Sequence, residues 1–549
     1  MALNSKIILC KNIKVDRNYK NCLTYSESDM LSLCNTNAVK IGTDFTFIGG
    51  KGSTTIEVPY TYGECLQCNY LAYQNTLYSN KWYFCFIDKV EYRNDNSTRI
   101  TFTVDYFHTW HDYYDIKSCF VVREHVSDDT IGKHTIPENL ETGEYISASK
   151  QLLYNTGNST YIAISSTWLP SNMWDDNEGI LYGGVFSGSP IVIFDSPVQA
   201  THFLRAMDEL NKGDAIVGIF LVPQEFKGAS QWKGYYMTSN YGSVTCAVAP
   251  TTSSCMYLST RVAVNSPINL NGYTPKNNKL FVYPYNYFYV SNNAGSDVEY
   301  HYEDFINRSP LFTTVGVLTP GCSIRTIPIN YKNLEDPTTS PVSDPFLSYT
   351  YGVTGAKYPI CSWTTDVYTN WLTENGINIA VSYATSALSI GAGVAMLATG
   401  AGAMAGAGLI AGGVMGIAGE MKQEYEHSLT PPQAKGNTNA GDILYSSRGM
   451  NIPVYKMTIR YEYAKSIDNF FTMFGYKVNV LETPNLNSRS IFNYIQIGQG
   501  EIIAYQKNNV LSIPPEDLEE INNIFRKGVT LWHNHSNIGD YTLNNTIVS

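Results

Sequence analysis

Between Arg99 and Tyr106 the side chains alternate strictly. Ile100, Phe102, Val104 and Tyr106 fall on one face, and Arg99, Thr101, Thr103 and Asp105 on the other. Period two predicts a strand with one wet face. Upstream, Trp82 to Arg93 is an aromatic and aliphatic run, apolar on both faces in its first half. The tetrad Asn94-Asp95-Asn96-Ser97 between the two runs supplies turn residues, so the whole predicts a long hairpin. Phe120 to Val126 predicts a further strand, and residues 1–150 as a whole read as strands.

The pattern shifts after residue 150. Ile191 to Phe194 is a short apolar strand, followed by Ser196-Pro197, a cap with Pro at the first helical position. Phe203, Met207 and Leu210 recur at helical spacing, Gly213 is the expected terminator, and Ala215 to Val222 is a second apolar run. This strand–helix–strand unit gives the middle an α+β character. Lys279 to Tyr300 reads as a Tyr-rich hairpin around Asn292-Asn293-Ala294-Gly295. From Pro431 onward the chain reads as polar and strand-like, closing with a helix at Glu516 to Arg526 and an aromatic strand at Leu531-Trp532. The expected fold class is mainly β with an α+β insertion.

One stretch fits neither period. The 45 residues between Glu374 and Glu420 carry no charge, and Gly and Ala supply 23 of them. Larger apolar side chains punctuate the run: Ile377, Ile379, Val381, Leu388 and Ile390 first, then Val394, Met396, Leu397 and Met404. Leu409, Ile410, Val414, Met415 and Ile417 follow. As a helix the run would reach about 68 Å at 1.5 Å per residue, against about 30 Å for a bilayer core. It is long enough to cross twice, turning near Thr399 to Gly402. Gly402 and Gly406, then Gly408, Gly412 and Gly416, are spaced to let helices approach closely in lipid. A helical hairpin buried within the protein or between subunits is the competing reading, since buried helices also lack charge. Acidic residues flank the run: Glu374 before it, and Glu420, Glu424 and Glu426 after it, with His427 beside them. Acid neutralises such carboxylates and eases insertion.

Composition narrows the function. Charged residues make up 15% of 549, against about 25% in ordinary soluble domains. Tyr is used 42 times, which suits half-buried strands. The net charge of −11 equips the chain poorly for gripping phosphates and well for letting nucleic acid slide past. Lys6, Lys11 and Lys14 interrupt the N-terminus, so no signal-peptide core is expected there. Folding in a reducing cytosol follows, with the 11 Cys as free buried thiols.

Candidate chemistry is sparse. Cys65-x-x-Cys68 lacks the second pair that zinc requires. His108-x-x-His111-Asp112 and His533-x-His535 sit beside Trp110 and Trp532 and read as packed histidines. Gly400-Ala401-Gly402-Ala403-Met404-Ala405 matches a dinucleotide fingerprint only formally, because no β-branched strand precedes it. No catalytic constellation, metal site or cofactor site is expected, and a wall hydrolase is the weakest of the readings.

Several strings resemble the family of phi29-type tail knob proteins. They are Tyr78-Ser79-Asn80-Lys81-Trp82-Tyr83, Val90-Glu91-Tyr92, Val104-Asp105 with His108-Thr109-Trp110, and, most specific, Phe120-Val121-Val122-Arg123-Glu124-His125-Val126. The resemblance resumes at Pro431 to Asn439, Phe474 to Lys477, Pro484-Asn485-Leu486, Arg489 and Phe492-Asn493-Tyr494. It ends with Gly528 to His533, Asn537-Ile538-Gly539 and Tyr541; in the middle only Lys279-Leu280 and Tyr283-Pro284-Tyr285 are similar. Between residues 127 and 424 the likeness is otherwise one of order and character.

The resemblance implies a virion protein, a homohexamer at the distal end of a short tail. It implies a barrel-like tube domain built from both termini (1–150 and 431–549), a knob insertion (151–370) and a membrane-active loop (371–430). The loops plug the lumen, then leave it and form a channel in the host membrane through which viral double-stranded DNA is ejected. The implied partners are further copies of the chain, the lower collar or connector, the tail-tip protein, the passing DNA and the host cell membrane. The protein is made in the host cytoplasm. A virion surface protein that binds a receptor, with the Tyr-rich middle as a carbohydrate platform and no pore activity, is the alternative.

Overall fold

The computed structural model describes residues 5–43, 47–50, 53–75, 80–154, 160–171, 173, 181–182, 185–186, 190–223, 233–240, 242–248, 257–292, 295–317, 323–332, 351–357, 360–362, 451–499, 502–504 and 513–548. The fold is mainly β. The chain forms two compact units: one of 1–144, 272–285 and 459–549, the other of 145–271 and 286–458.

The first unit opens with β1 (Ser5–Cys10), β2 (Asn21–Leu23), helix α1 (Glu27–Thr36), β3 (Ala38–Thr43), β4 (Phe47–Gly50), β5 (Ser53–Val58), α2 (Tyr62–Leu66), β6 (Tyr70–Asn75), β7 (Trp82–Asn94) and β8 (Ser97–Val104). Seven of these strands make one sheet in the order β3-β1-β6-β7-β8-β5-β4. Consecutive strands β3 and β4 therefore occupy opposite edges. Laid flat, seven strands would put those edges about 29 Å apart. The chain from Thr43 to Phe47 is four Cα steps and spans at most about 15 Å. The sheet must roll up. Its register agrees: Thr43 traces through Lys6 and Gln74 to Trp82, while Phe47 traces through Ile56 and Ile100 to Val90. The two edges thus land eight residues apart on β7, the stagger that tilted strands need to close a barrel.

Period-two patterning gives this sheet two apolar faces. Ile7, Leu9, Leu71, Tyr73, Cys85, Ile100 and Phe102 pack together with Ile56 and Val58. The alternate positions Ile8, Cys10, Tyr70, Ala72, Phe84 and Phe86 pack against Met30 and Cys34 of α1 and against Phe492 and Trp532. A slip of one residue would exchange the two sets, so the register is strongly specified. Helix α1 interrupts the all-strand expectation for this region; Ser26 and Asp29 form a reciprocal capping box that starts it. Tyr106 departs from the alternation too. Asp105 caps a new helix, α3 (Tyr106–Trp110), its carboxylate accepting from His108 N at 3.2 Å, and the strand stops at Val104.

The second sheet of this unit joins both ends of the chain. After β9 (Tyr114–Ile116) comes β10 (Cys119–Glu124), which pairs with strands Tyr476–Glu482 and Phe492–Gln499; the latter pairs with Val529–Trp532, which runs parallel to β2. Helix Pro515–Lys527 has the position read from the sequence. Helix Tyr461–Phe474 lies where strands were expected, and Ala464, Ile467, Asp468 and Phe471 form its buried stripe.

The other unit holds a six-stranded sheet in the order Lys233–Ser239, Gly242–Val248, Ile191–Phe194, Thr160–Ser166, Ile216–Pro223, Ile360–Ser362. Strands Ile191–Phe194 and Ile216–Pro223 flank Thr160–Ser166 on either side, and helix Pro197–Glu209 links them, a split strand–helix–strand unit. Ser196 Oγ caps the helix on Val198 N at 3.2 Å. The helix ends earlier than Gly213, because Asn211 takes the left-handed conformation at φ 51°. Two four-stranded sheets and a two-stranded ribbon, Leu181–Tyr182 with Val185–Phe186, complete the unit among the described residues. The Tyr-rich hairpin is Asn286–Ser291 with Asp297–Tyr300. Lys279 falls outside it, in a 3-10 turn of the first unit.

Candidate functional site

The loop positions Ile377 to Ile417, their acidic flanks Glu374, Glu420, Glu424 and Glu426, and the Gly400 to Ala405 fingerprint all lie outside the described residues. Among the described residues no helix is long and apolar enough to cross a membrane.

The histidines of the metal-like spacings are occupied by the fold. His108 is buried; its Nδ1 bonds Asp105 Oδ2 at 2.7 Å and its Nε2 accepts from Leu23 N at 3.0 Å. Tyr70 OH also donates to Asp105, at 2.8 Å. His111 packs against the rings of Phe107 and Tyr114. His533 bonds Thr24 Oγ1 at 3.2 Å and Arg489 O at 3.0 Å, and His535 Nε2 accepts from Lys14 N at 3.1 Å. Cys65 and Cys68 are buried thiols, and burial pushes Cys68 up to about 12, far from the thiolate that metal or redox chemistry needs. No cluster of three or more metal-ligating side chains occurs among the described residues.

What the structure does assemble is a polar keystone around Phe120 to Val126. Arg123 reaches across to donate to Gly475 O at 2.9 Å and also to the Glu138 carboxylate. Glu138, fully buried, further accepts from Lys279 Nζ and from Lys477 N, the latter at 2.8 Å. Burial lowers the Lys279 ammonium from its usual range. His125 Nδ1 accepts from Tyr494 N at 2.7 Å, and its Nε2 donates to Thr472 O at 3.0 Å. That pattern requires the neutral ring, and burial depresses His125 to about 3. Glu124 shows the opposite shift. Burial, then the charge of neighbouring Glu482, raises it to about 8, so the pair holds a proton at neutral pH.

A second anchor fastens segment 272–285. Asp468, on the buried face of helix Tyr461–Phe474, accepts from Tyr273 OH at 2.8 Å, Lys276 N at 2.8 Å, Asn277 N at 3.1 Å and Asn277 Nδ2 at 2.8 Å. Asp129 adds a third: it accepts from Asn278 N at 3.0 Å and from Tyr476 OH at 2.6 Å. Sequence reading missed these anchors because each joins residues far apart in the chain. The available signal was the run of quoted strings, which supply Arg123, Glu124, His125, Lys279, Gly475, Tyr476, Lys477 and Tyr494.

Between these segments lies a cleft of about 600 Å³. It is lined by His125, Ser127 to Thr130, Lys276 to Asn278, Thr472, Arg489 and the C-terminal stretch Leu543 to Ile547. That stretch is pinned by Asn545, whose Oδ1 accepts from Ile491 N at 2.9 Å and whose Nδ2 donates to Phe492 O at 2.7 Å. The arrangement ties together segments far apart in the chain.

Comparison with known proteins finds structural proteins of phage tails. Residues 254–546, more than half the chain, match the family described as Bacillus phage phi29 tail knob protein gp9, C-terminal domain. Residues 3–115, which contain the whole rolled sheet, match the N-terminus of caudoviral major tail proteins. The tail knob protein gp9 of Bacillus phage B103 is 25% identical, with 98% of this chain and 97% of that one covered. Its counterpart from Bacillus phage phi29 is 24% identical, with 91% of each covered. The tail knob protein gp12 of bacteriophage C1 shares the fold at a TM-score of 0.65 and 12% identity, over 99% of this chain and 100% of that one.

Proposed function

The chain belongs to the phi29 tail knob protein family, structural components of the phage tail, and from that premise we propose that it forms the distal tube and knob through which the viral genome is ejected. The observation that carries this reading is the end-to-end likeness to tail knob proteins, with 98% of this chain and 97% of the B103 relative aligned. Six copies form the tube. The unit built from both termini makes its wall, and the intervening unit is the outer knob. Closing a ring of sheets removes exposed strand edges. The net charge of −11 suits a lumen that must not hold DNA. Connector, tail-tip protein and host membrane are its other partners.

The uncharged run 375–419 is the moving part. Sister copies keep it dry in the lumen; once released into water, it gains about 25 cal/mol per Å² of apolar surface on entering lipid. A deletion of 375–419 tests this: hexamers still form, and virions carrying the variant bind cells without delivering DNA. Normal infection by the deletion variant rules out the channel role. Absence of rings in the wild-type protein rules out the tube.

A further inference from the structure

Helix α1 has only two buried side chains, Met30 and Cys34, and the second of them meets another thiol. The register of β1 with β3 brings this about. Ala38, the first residue of β3, pairs with Cys10, and Cys34 lies about one helical turn before Ala38. Cys10 Sγ–H donates to Cys34 O at 3.4 Å, and the two side chains interact directly. Both are fully buried, in one cluster with Met30 and Tyr70. The Cys34 side chain first, then burial, pushes the Cys10 thiol up, so it stays protonated while the helix is docked. The Cys65 and Cys68 pair is closer in sequence, but there Cys68 Sγ turns back to Glu64 O at 3.5 Å.

A phage tail component leaves the reducing cytosol with the virion, where disulfides form and persist. We propose that Cys10 and Cys34 become joined as a disulfide after release, fastening α1 to β1. This rests on the virion location alone, not on the tube or the loop. The oxidant is a small-molecule disulfide. When α1 frays, Cys34 loses its proton, attacks one sulfur of the oxidant and expels a first thiolate. As α1 docks again, Cys10 loses its proton, attacks the Cys34 sulfur of the mixed disulfide and expels a second. The two protons end on the two expelled thiolates. The cysteine pair gives up two electrons, and the oxidant takes them. The link closes the chain from Cys10 to Cys34 and removes freedom from the undocked state.

The full chain, purified with reductant and then exchanged into oxidised glutathione, tests this by peptide mapping without reduction. Two of the eleven thiols should disappear, and one linked pair of peptides should carry Cys10 and Cys34. Hydrogen exchange over residues 27–36 should slow by about tenfold or more in the linked protein. Cys34→Ala removes one sulfur and keeps Met30 in the cluster. It should lose no pair of thiols and show the same exchange with and without the oxidant. Eleven surviving thiols in the wild type overturn the pairing. So does a link between other cysteines in its place, or glutathione left on Cys34 beside a free Cys10. Unchanged exchange in the linked protein overturns the fastening of α1.

Discussion

Trp110 donates its indole N–H to Asp517 Oδ2 at 2.8 Å, across 407 residues of sequence. The bond ties the short helix after the β7–β8 hairpin to the first turn of helix Pro515–Lys527, so the two ends of the chain share one packing unit. Burial holds the Asp517 carboxyl above its usual range, and the indole N–H partly offsets this.

Asp517→Ala leaves that buried N–H without an acceptor and should cost about 1–3 kcal/mol. Asp517→Asn keeps an acceptor and should cost less. Hydrogen-exchange mass spectrometry should show faster exchange in helix 515–527 for the Ala variant than for the Asn variant. Equal exchange in the two would show that the bond carries no stability.

Glu124 makes the unit sensitive to alkali. Its folded-state value of about 8 lies above the ordinary 4.5, so the folded chain keeps a proton that the unfolded chain has released. Stability from this group is therefore full below about pH 4.5 and is lost as pH rises through 8. Urea midpoints for the wild type should fall between about pH 6 and pH 9. Glu124→Gln, which cannot ionise, should flatten that slope. An equal slope in the variant assigns the loss to other groups.

His125 sets the opposite limb. Its folded value of about 3 lies below the ordinary 6.5, so its contribution is present above 6.5 and is lost as pH falls toward 3. An NMR titration of selectively labelled histidine should find the His125 ring neutral at pH 5, well below the ordinary midpoint. A ring that titrates near pH 6.5 contradicts its bonds to Tyr494 N and Thr472 O.

Local pattern made some of this legible. The alternation of Ile100 and Phe102 reports the face they bury, and Ser196-Pro197 starts a helix by sterics and capping within a few residues. Gly213 misled because Asn211, two residues earlier, also tolerates the left-handed region. Lys279 misled because its segment is fastened by Asp468, about 190 residues away, and no local period records that. The helix at 461–474 carries its helical spacing in Ala464, Ile467 and Phe471, which the reading of everything after Pro431 as polar and strand-like passed over. Of the cleft, only the strings containing His125 and Arg489 stood out, because its walls come from segments far apart in the chain. The rolled sheet needed the pairing order: hydrophobic period shows that a strand has two apolar faces, not which strands lie at the edges.

Gly475 should be intolerant of any side chain. Its φ of 63° and ψ of −154° lie in a region that is essentially glycine-only, and a Cβ there would overlap Glu124 O. Gly475→Ala is expected to destabilise the unit by more than about 3 kcal/mol, the sum of backbone strain and displacement of β10. Gly272 also has positive φ, at 87°, but faces open space, so Gly272→Ala carries strain alone and should cost less. Urea unfolding of both variants checks the order, and similar costs would mean that contact with Glu124 is relieved cheaply.

Lys81 explains one of the family-like strings. Its ammonium is buried, sits 3.9 Å from the Tyr113 ring centroid and 4.7 Å from that of Trp110, and meets Glu27 Oε2 at 3.3 Å. Rings and carboxylate together replace the water that the charge has lost. Lys81→Ala opens a cavity and strips Glu27 of its buried counter-charge, and it should cost about 3 kcal/mol. Lys81→Met fills most of the volume, and Glu27 keeps its bond from Tyr113 OH at 3.1 Å, so its cost should be smaller. Lys81→Arg keeps the charge but not the shape, since a planar guanidinium does not fit a site framed for a compact ammonium. Thermal unfolding of the three variants should therefore rank Met above Ala, with Arg failing to restore the wild-type midpoint. Full restoration by Arg would show that charge alone, without the ring geometry, holds this corner of the fold.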